Sequence, residues 1–139
     1  MTRTAACSCE QLTITVTGEP SFVAACSCLK CQRRTGSAFG LSSYFDDSQI
    51  IEITGDSKSF EKISDSGLKL ERKFCPVCGV TVYWKAEFMS THTGIPVGGF
   101  TDPNFPEPNV AVWNQSKHPW VSFPSQWPQS DTQAFNDGQ

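Results

Sequence analysis

The sequence predicts a mainly β protein, and three observations carry that expectation. Val, Ile, Phe, Tyr, Trp and Thr supply 43 residues against 15 from Ala, Leu and Met, and β-branched and aromatic side chains suit a pleated, half-buried surface. Apolar and polar residues alternate over short runs broken by Gly and Pro, the pattern of strands in a sandwich or barrel. Seven cysteines fall in three tight clusters, at 7 and 9, at 26, 28 and 31, and at 75 and 78. Such clusters can staple short strands through a metal ion.

The elements follow in order. Leu12, Ile14 and Val16 alternate with polar neighbours, so 11–17 reads as a half-buried strand closed by a turn at Gly18-Glu19-Pro20. A second short strand, 21–25, runs into the middle cysteines. Gln32 to Thr35 makes one helical turn, stopped by Gly36. Phe39, Leu41, Ser43 and Phe45 share one face of a third strand. Segments 50–54 and 59–63 form a hairpin about Gly55-Asp56. Beyond it, Leu68, Leu70, Arg72 and Phe74 face one way, and that strand delivers the chain to Cys75. Val80, Val82 and Trp84 continue the alternation past Cys78, and 93–97 and 109–113 are shorter strand candidates. Pro103 to Pro108 is a loop, since proline cannot serve a central strand. Trp113 and Trp120 are assigned to the core ahead of a substrate wall. Residues 1–125 read as one zinc-binding β domain, and 126–139 as a frayed polar tail.

Composition excludes several functions. The net charge is −3 and no basic run exceeds Arg33-Arg34, which disfavours nucleic acid or an anionic membrane as a partner. Charged residues are 18%, below the usual ~25%, which argues against general disorder. No apolar run has the length of a signal peptide or a membrane span, so a cytoplasmic setting is expected. There, clustered thiols are metal ligands before they are disulfides.

Zinc takes thiolates in a tetrahedron, and structural sites are filled by four protein ligands. Cys75-Pro76-Val77-Cys78-Gly79 has the form of a zinc knuckle, in which Pro76 fixes a backbone angle and Gly79 can take a positive φ. Cys7 and Cys9, at i and i+2 of an extended segment, lie on one face and supply the second pair. A closed structural site of Cys7, Cys9, Cys75 and Cys78 follows. Cys26, Cys28 and Cys31 remain, with no fourth cysteine, and an open position is the mark of a catalytic zinc. Two other readings stay open. His92 or His118 could close the second site, making the protein a non-catalytic zinc-stabilised binding module, or the three thiols could cycle through disulfides as a redox sensor. Other divisions of the seven sulfurs are also open to the sequence.

Three thiolates against a dication leave one net negative charge, so such a zinc suits thiol binding better than water activation. The chemistry expected is attack of a thiolate on a small electrophile. Arg33 and Arg34 could fork a substrate carboxylate, and Thr35 and Ser37 could hydrogen-bond to substrate.

Cys7-Ser8-Cys9, then Cys26-Ser27-Cys28-Leu29-Lys30-Cys31 followed by Gln32-Arg33-Arg34-Thr35-Gly36-Ser37, then Phe74-Cys75-Pro76-Val77-Cys78-Gly79 resemble the glutathione-dependent formaldehyde-activating enzyme family, with which centromere protein V is grouped. The resemblance covers about residues 5 to 125 and extends to Trp113 and Pro119-Trp120. It implies a β-tent of short antiparallel strands and two zinc ions per chain, divided as above. It also implies a carbon–sulfur lyase resembling S-(hydroxymethyl)glutathione synthase, in which a zinc-bound thiol, glutathione or a related one, adds to formaldehyde or another small aldehyde. The expected partners are those small molecules alone.

Overall fold

The computed structural model describes residues 1–63 and 67–133, and the mainly β expectation holds for them. In chain order the strands are β1 (Thr2–Ala6), β2 (Thr13–Thr17), β3 (Phe22–Cys26), β4 (Gly40–Asp46) and β5 (Ile50–Thr54). They continue as β6 (Lys58–Ile63), β7 (Lys69–Phe74), β8 (Thr81–Ala86), β9 (His92–Pro96) and β10 (Val110–Val112). One α-helix, α1 (Leu29–Thr35), follows β3 in the described chain. No helix among the described residues is long and apolar enough to cross a membrane. The chain divides into two compact units, Met1–Ser21 with Ser43–Phe105, and Phe22–Ser42 with Pro106–Gln139.

In the first unit β1, β2 and β5 form an antiparallel sheet with β2 in the middle. Strands β4, β9, β8, β7 and β6 are neighbours in that order. The alternation in β2 does what it predicts: Leu12, Ile14 and Val16 are fully buried, with Ala5, Phe45, Val82, Ile95 and Phe100 in the same cluster. Cys7 and Cys75 belong to that cluster too, so the core and the cysteine loops are built on the same strands. β1 has no counterpart in the sequence reading, because Thr2–Ala6 buries only Ala5 fully.

The hairpin expected about Gly55-Asp56 does not form. β5 pairs with β2, and β6 pairs with β7 in the other sheet. The cause is Gln11, whose side chain donates to the Asp56 carbonyl (2.8 Å) and accepts from the Asp56 amide (2.9 Å). Gly55 has φ +97°, and a Cβ there would lie 1.8 Å from the Gln11 carbonyl oxygen. Only glycine permits that approach, and it pins the turn to the Gln11 backbone instead of letting the strands fold on each other.

A polar cluster ties β8 and β9 to the turn after β4. The Asp47 carboxylate accepts from Lys85 Nζ at 2.6 Å and from the hydroxyl of buried Thr93 at 2.7 Å. Burial would raise its pKa, but these two donors outweigh burial and hold the carboxyl below its usual range. A depressed folded pKa gives stability that is complete above the unfolded value and is lost as pH falls through the folded value. Asp47→Asn should therefore cost about 1 kcal/mol at neutral pH and show a smaller further loss between neutral pH and pH ~3 than the parent. Denaturant midpoints at both pH values measure this, and equal acid sensitivity in the two proteins would contradict it.

In the second unit β10 runs parallel to β3, with Val110, Ala111 and Val112 opposite Ala24, Ala25 and Cys26. This pair is parallel within a fold whose other named strand pairings here are antiparallel. Ala24, Val110 and Val112 form a small core, against which Phe22, Cys26 and Trp113 pack. The tail is not frayed over its described part. Ala111 exchanges backbone hydrogen bonds with Pro128 and Ser130, and Trp113 donates to the Thr132 carbonyl. Residues 134–139 of the expected tail lie outside the described residues. Trp113 sits half-buried as a core-packing residue, but Trp120 is 74% exposed, which corrects its assignment to the core.

Candidate metal centres

The first centre is made by two loops of one design, each following a strand. After β1, the Cys7 amide donates to Leu12 O (3.1 Å) and the Glu10 amide to Cys7 O (3.0 Å). After β7, the Cys75 amide donates to Val80 O (3.0 Å) and the Gly79 amide to Cys75 O (2.8 Å). Each loop ends in the left-handed region, at Glu10 (φ 65) and Gly79 (φ 80). The loops bring the sulfurs of Cys7, Cys9, Cys75 and Cys78 within 4.8 Å of one another. Cys7–Cys9 and Cys9–Cys75 are 3.7 and 3.6 Å apart. A tetrahedron of Zn–S bonds near 2.3 Å needs edges of about 3.8 Å, so the four sulfurs fit one such ion. None of the seven cysteines is joined in a disulfide.

Cys75 is fully buried and receives three N–H groups, from Gln11 Nε2 (3.0 Å), Val77 N (3.3 Å) and Cys78 N (3.5 Å). Burial pushes its thiol up, but donors led by the Cys78 amide and Gln11 outweigh that and hold it at about 6. Gln11 thus links this centre to the Gly55-Asp56 turn. The sequence reading used Gln11 only to begin a strand, because nothing local shows that its side chain reaches a sulfur some 64 positions away.

The second centre lies in the other unit. Cys26 closes β3, Cys28 caps the start of α1 by accepting from the Cys31 amide (3.3 Å), and Cys31 sits in the first turn. Their sulfurs also lie within 4.8 Å of one another. Ser27 between them is fully buried and clamped. Its amide donates to Val112 O (3.1 Å), and its carbonyl accepts from Gln32 Nε2 and Ser116 Oγ, both at 2.8 Å. Gln32 Nε2 also reaches Ser116 O (3.1 Å). Gln32 and Ser116 escape the sequence reading, since their work is to hold a backbone carbonyl. Bonds from the Cys26 and Cys31 thiols, helped by the Cys31 and Lys30 amides, lower Cys28 to about 2 despite burial. The same sulfur–sulfur bonds, then burial, push Cys26 up.

No histidine or carboxylate among the described residues joins these three sulfurs within that distance. Neither histidine belongs to this group. His92 hydrogen-bonds Ser21 Oγ and Thr91 Oγ1 at 3.0 and 2.9 Å, and His118 packs its ring on Trp120. Of the expected substrate contacts, Arg33 and Ser37 are exposed. The Thr35 hydroxyl closes the helix end, donating to Cys31 O (2.9 Å) and accepting from the Ser37 amide (3.1 Å). Arg34 is half-buried, with its guanidinium end over Gly40.

Residues 2–116 match the family model described as glutathione-dependent formaldehyde-activating enzyme. No curated protein sequence gives a significant match. Among solved structures the chain is similar to a structural-genomics crystal structure of a Rhodobacter sphaeroides protein, with a TM-score of 0.54 and 16% identity. That likeness covers 73% of this chain and 90% of the other, and it concerns the fold alone.

Proposed function

The chain belongs to the glutathione-dependent formaldehyde-activating enzyme family, and we propose that it is a zinc-dependent carbon–sulfur lyase joining glutathione or a related thiol to formaldehyde or another small aldehyde. In the synthetic direction the S–H bond of the thiol breaks and a C–S bond forms at the carbonyl carbon. The carbonyl oxygen ends with the proton, and no electrons change hands overall. Cys26, Cys28 and Cys31 would hold the catalytic ion, and Cys7, Cys9, Cys75 and Cys78 a structural one. A zinc ion in the three-sulfur centre would favour the deprotonated form of an incoming thiol at neutral pH.

This chain's residues then account for orientation. The clamp on the Ser27 carbonyl fixes Cys26 and Cys28 relative to α1, so the three sulfurs that would hold the ion are set in advance. Arg33 and Ser37, exposed on the same short segment, are available to the polar groups of a substrate. The observation that carries the reading is a trio of sulfurs with no fourth Cys, His, Asp or Glu grouped with them among the described residues. A closed, purely structural second ion would need one.

The test is exchange NMR on mixtures of formaldehyde with glutathione, and with 2-mercaptoethanol, with and without the zinc-loaded protein. Adduct formation above the rate in buffer is expected with at least one thiol. No acceleration with either would overturn the reaction while leaving the metal centres standing.

A further inference from the structure

The three-sulfur centre has a charge difficulty of its own. Three thiolates against a dication leave one negative charge, and a fourth thiolate would make two. Taking an anion onto an anionic centre away from bulk water is unfavourable unless a cation lies close by. Helix α1 carries Lys30, Arg33 and Arg34. Lys30 and Arg33 are exposed, where water and salt screen them. Arg34 is half-buried, and its Nη2 is shut off from solvent.

The seat of Arg34 is made by a missing side chain. Gly40, at the start of β4, is buried, and its φ does not call for glycine. A Cβ there would lie 2.8 Å from Arg34 Nη2 and 3.4 Å from Cys31 Cβ. The guanidinium end and the flank of Cys31 therefore share the space over one α-carbon. The spacing from Cys31 to Arg34, i to i+3, also puts both on one face of the helix.

We propose that Arg34, seated over Gly40 beside Cys31, is a positioning residue that offsets charge at the three-sulfur centre and so lets it accept an anionic sulfur as fourth ligand. This rests on the reading that Cys26, Cys28 and Cys31 hold a metal with one corner open to a thiol. It gives Arg34 a different task from Arg33: Arg34 works on the centre and not on a substrate carboxylate.

The experiment uses the full chain loaded with cobalt, whose sulfur charge-transfer bands report ligand exchange. Three probes are titrated: 2-mercaptoethanol, which has no carboxylate; 3-mercaptopropionate, which has one; and imidazole, a neutral ligand. Arg34→Gln should weaken both thiols about tenfold and imidazole less than about twofold, with cobalt content unchanged. Arg34→Lys should recover part of the thiol affinity and keeps the test open should the glutamine variant fold poorly. Unchanged thiol affinity in Arg34→Gln overturns the inference. So does a loss confined to 3-mercaptopropionate, which would mark a carboxylate clamp, or an equal loss for imidazole, which would mark a structural role. A parent protein whose spectrum responds to no thiol overturns the open-corner reading itself, and this inference with it.

Discussion

Cys28→Ala should abolish the condensation of thiol with aldehyde and remove one metal equivalent per chain, while the fold survives. Two sulfurs cannot hold an ion that three and an outside ligand were meant to hold, so the activity loss should be complete, down to the rate in buffer. Apart from the binding energy of the lost ion, the structural cost of the side chain itself is small. Cys28 caps α1 through the Cys31 amide, and losing a cap costs about 1 kcal/mol, or roughly 3–5 °C in melting temperature for a chain of this size. Metal analysis, exchange NMR and a thermal melt on one preparation read all three quantities. A variant that keeps both metals and its rate would show that the second centre is assigned to the wrong sulfurs.

Cys75→Ser should behave in the opposite sense, with stability failing first. Cys75 is fully buried in the principal core and carries three N–H donors on its sulfur. Binding of a structural zinc to four thiolates is worth on the order of 10 kcal/mol, and that energy is folding energy. Losing even ~3 kcal/mol of it lowers the melting temperature by roughly 10 °C, and a larger part would leave the chain unfolded at growth temperature. The expected result is one metal equivalent lost together with a fall of at least that size. A Cys75→Ser protein that melts with the parent would show that the four sulfurs do not hold this unit together.

The contrast between these variants also shows what a sequence can disclose. The tight sulfur clusters were legible because their spacing is local: CxC and CxxC force two sulfurs together whatever the rest of the chain does, whereas the meeting of 7 and 9 with 75 and 78 was only one of several divisions open to the sequence. Strands such as β2 and β8 were legible because one buried face imposes a period of two, and Ile14, Val16, Val82 and Trp84 obey it. Partner choice was not legible. Ile51 and Ile53 in β5 are 57% and 45% exposed, so their hydrophobicity said strand without saying beside what, and the Gly55-Asp56 turn suggested the nearest partner. What overruled it was Gln11, 45 positions away. The parallel pairing of β10, the docking of 128–132 and the seat of Arg34 over Gly40 are of the same kind. Each depends on a contact between segments whose own composition is unremarkable, and in the last case on an atom that is absent.

The cross-link between the loops after β1 and β7 also has a consequence for how the protein is made. Cys9 and Cys75 are 66 residues apart, and ribosomes add about 5–20 residues per second. The N-terminal pair of thiols therefore waits roughly 3–13 s for its partners. During that interval the N-terminal pair stands without the two sulfurs it meets in the folded chain. If the four sulfurs hold the proposed zinc, its site is complete only once Cys78 has left the exit tunnel.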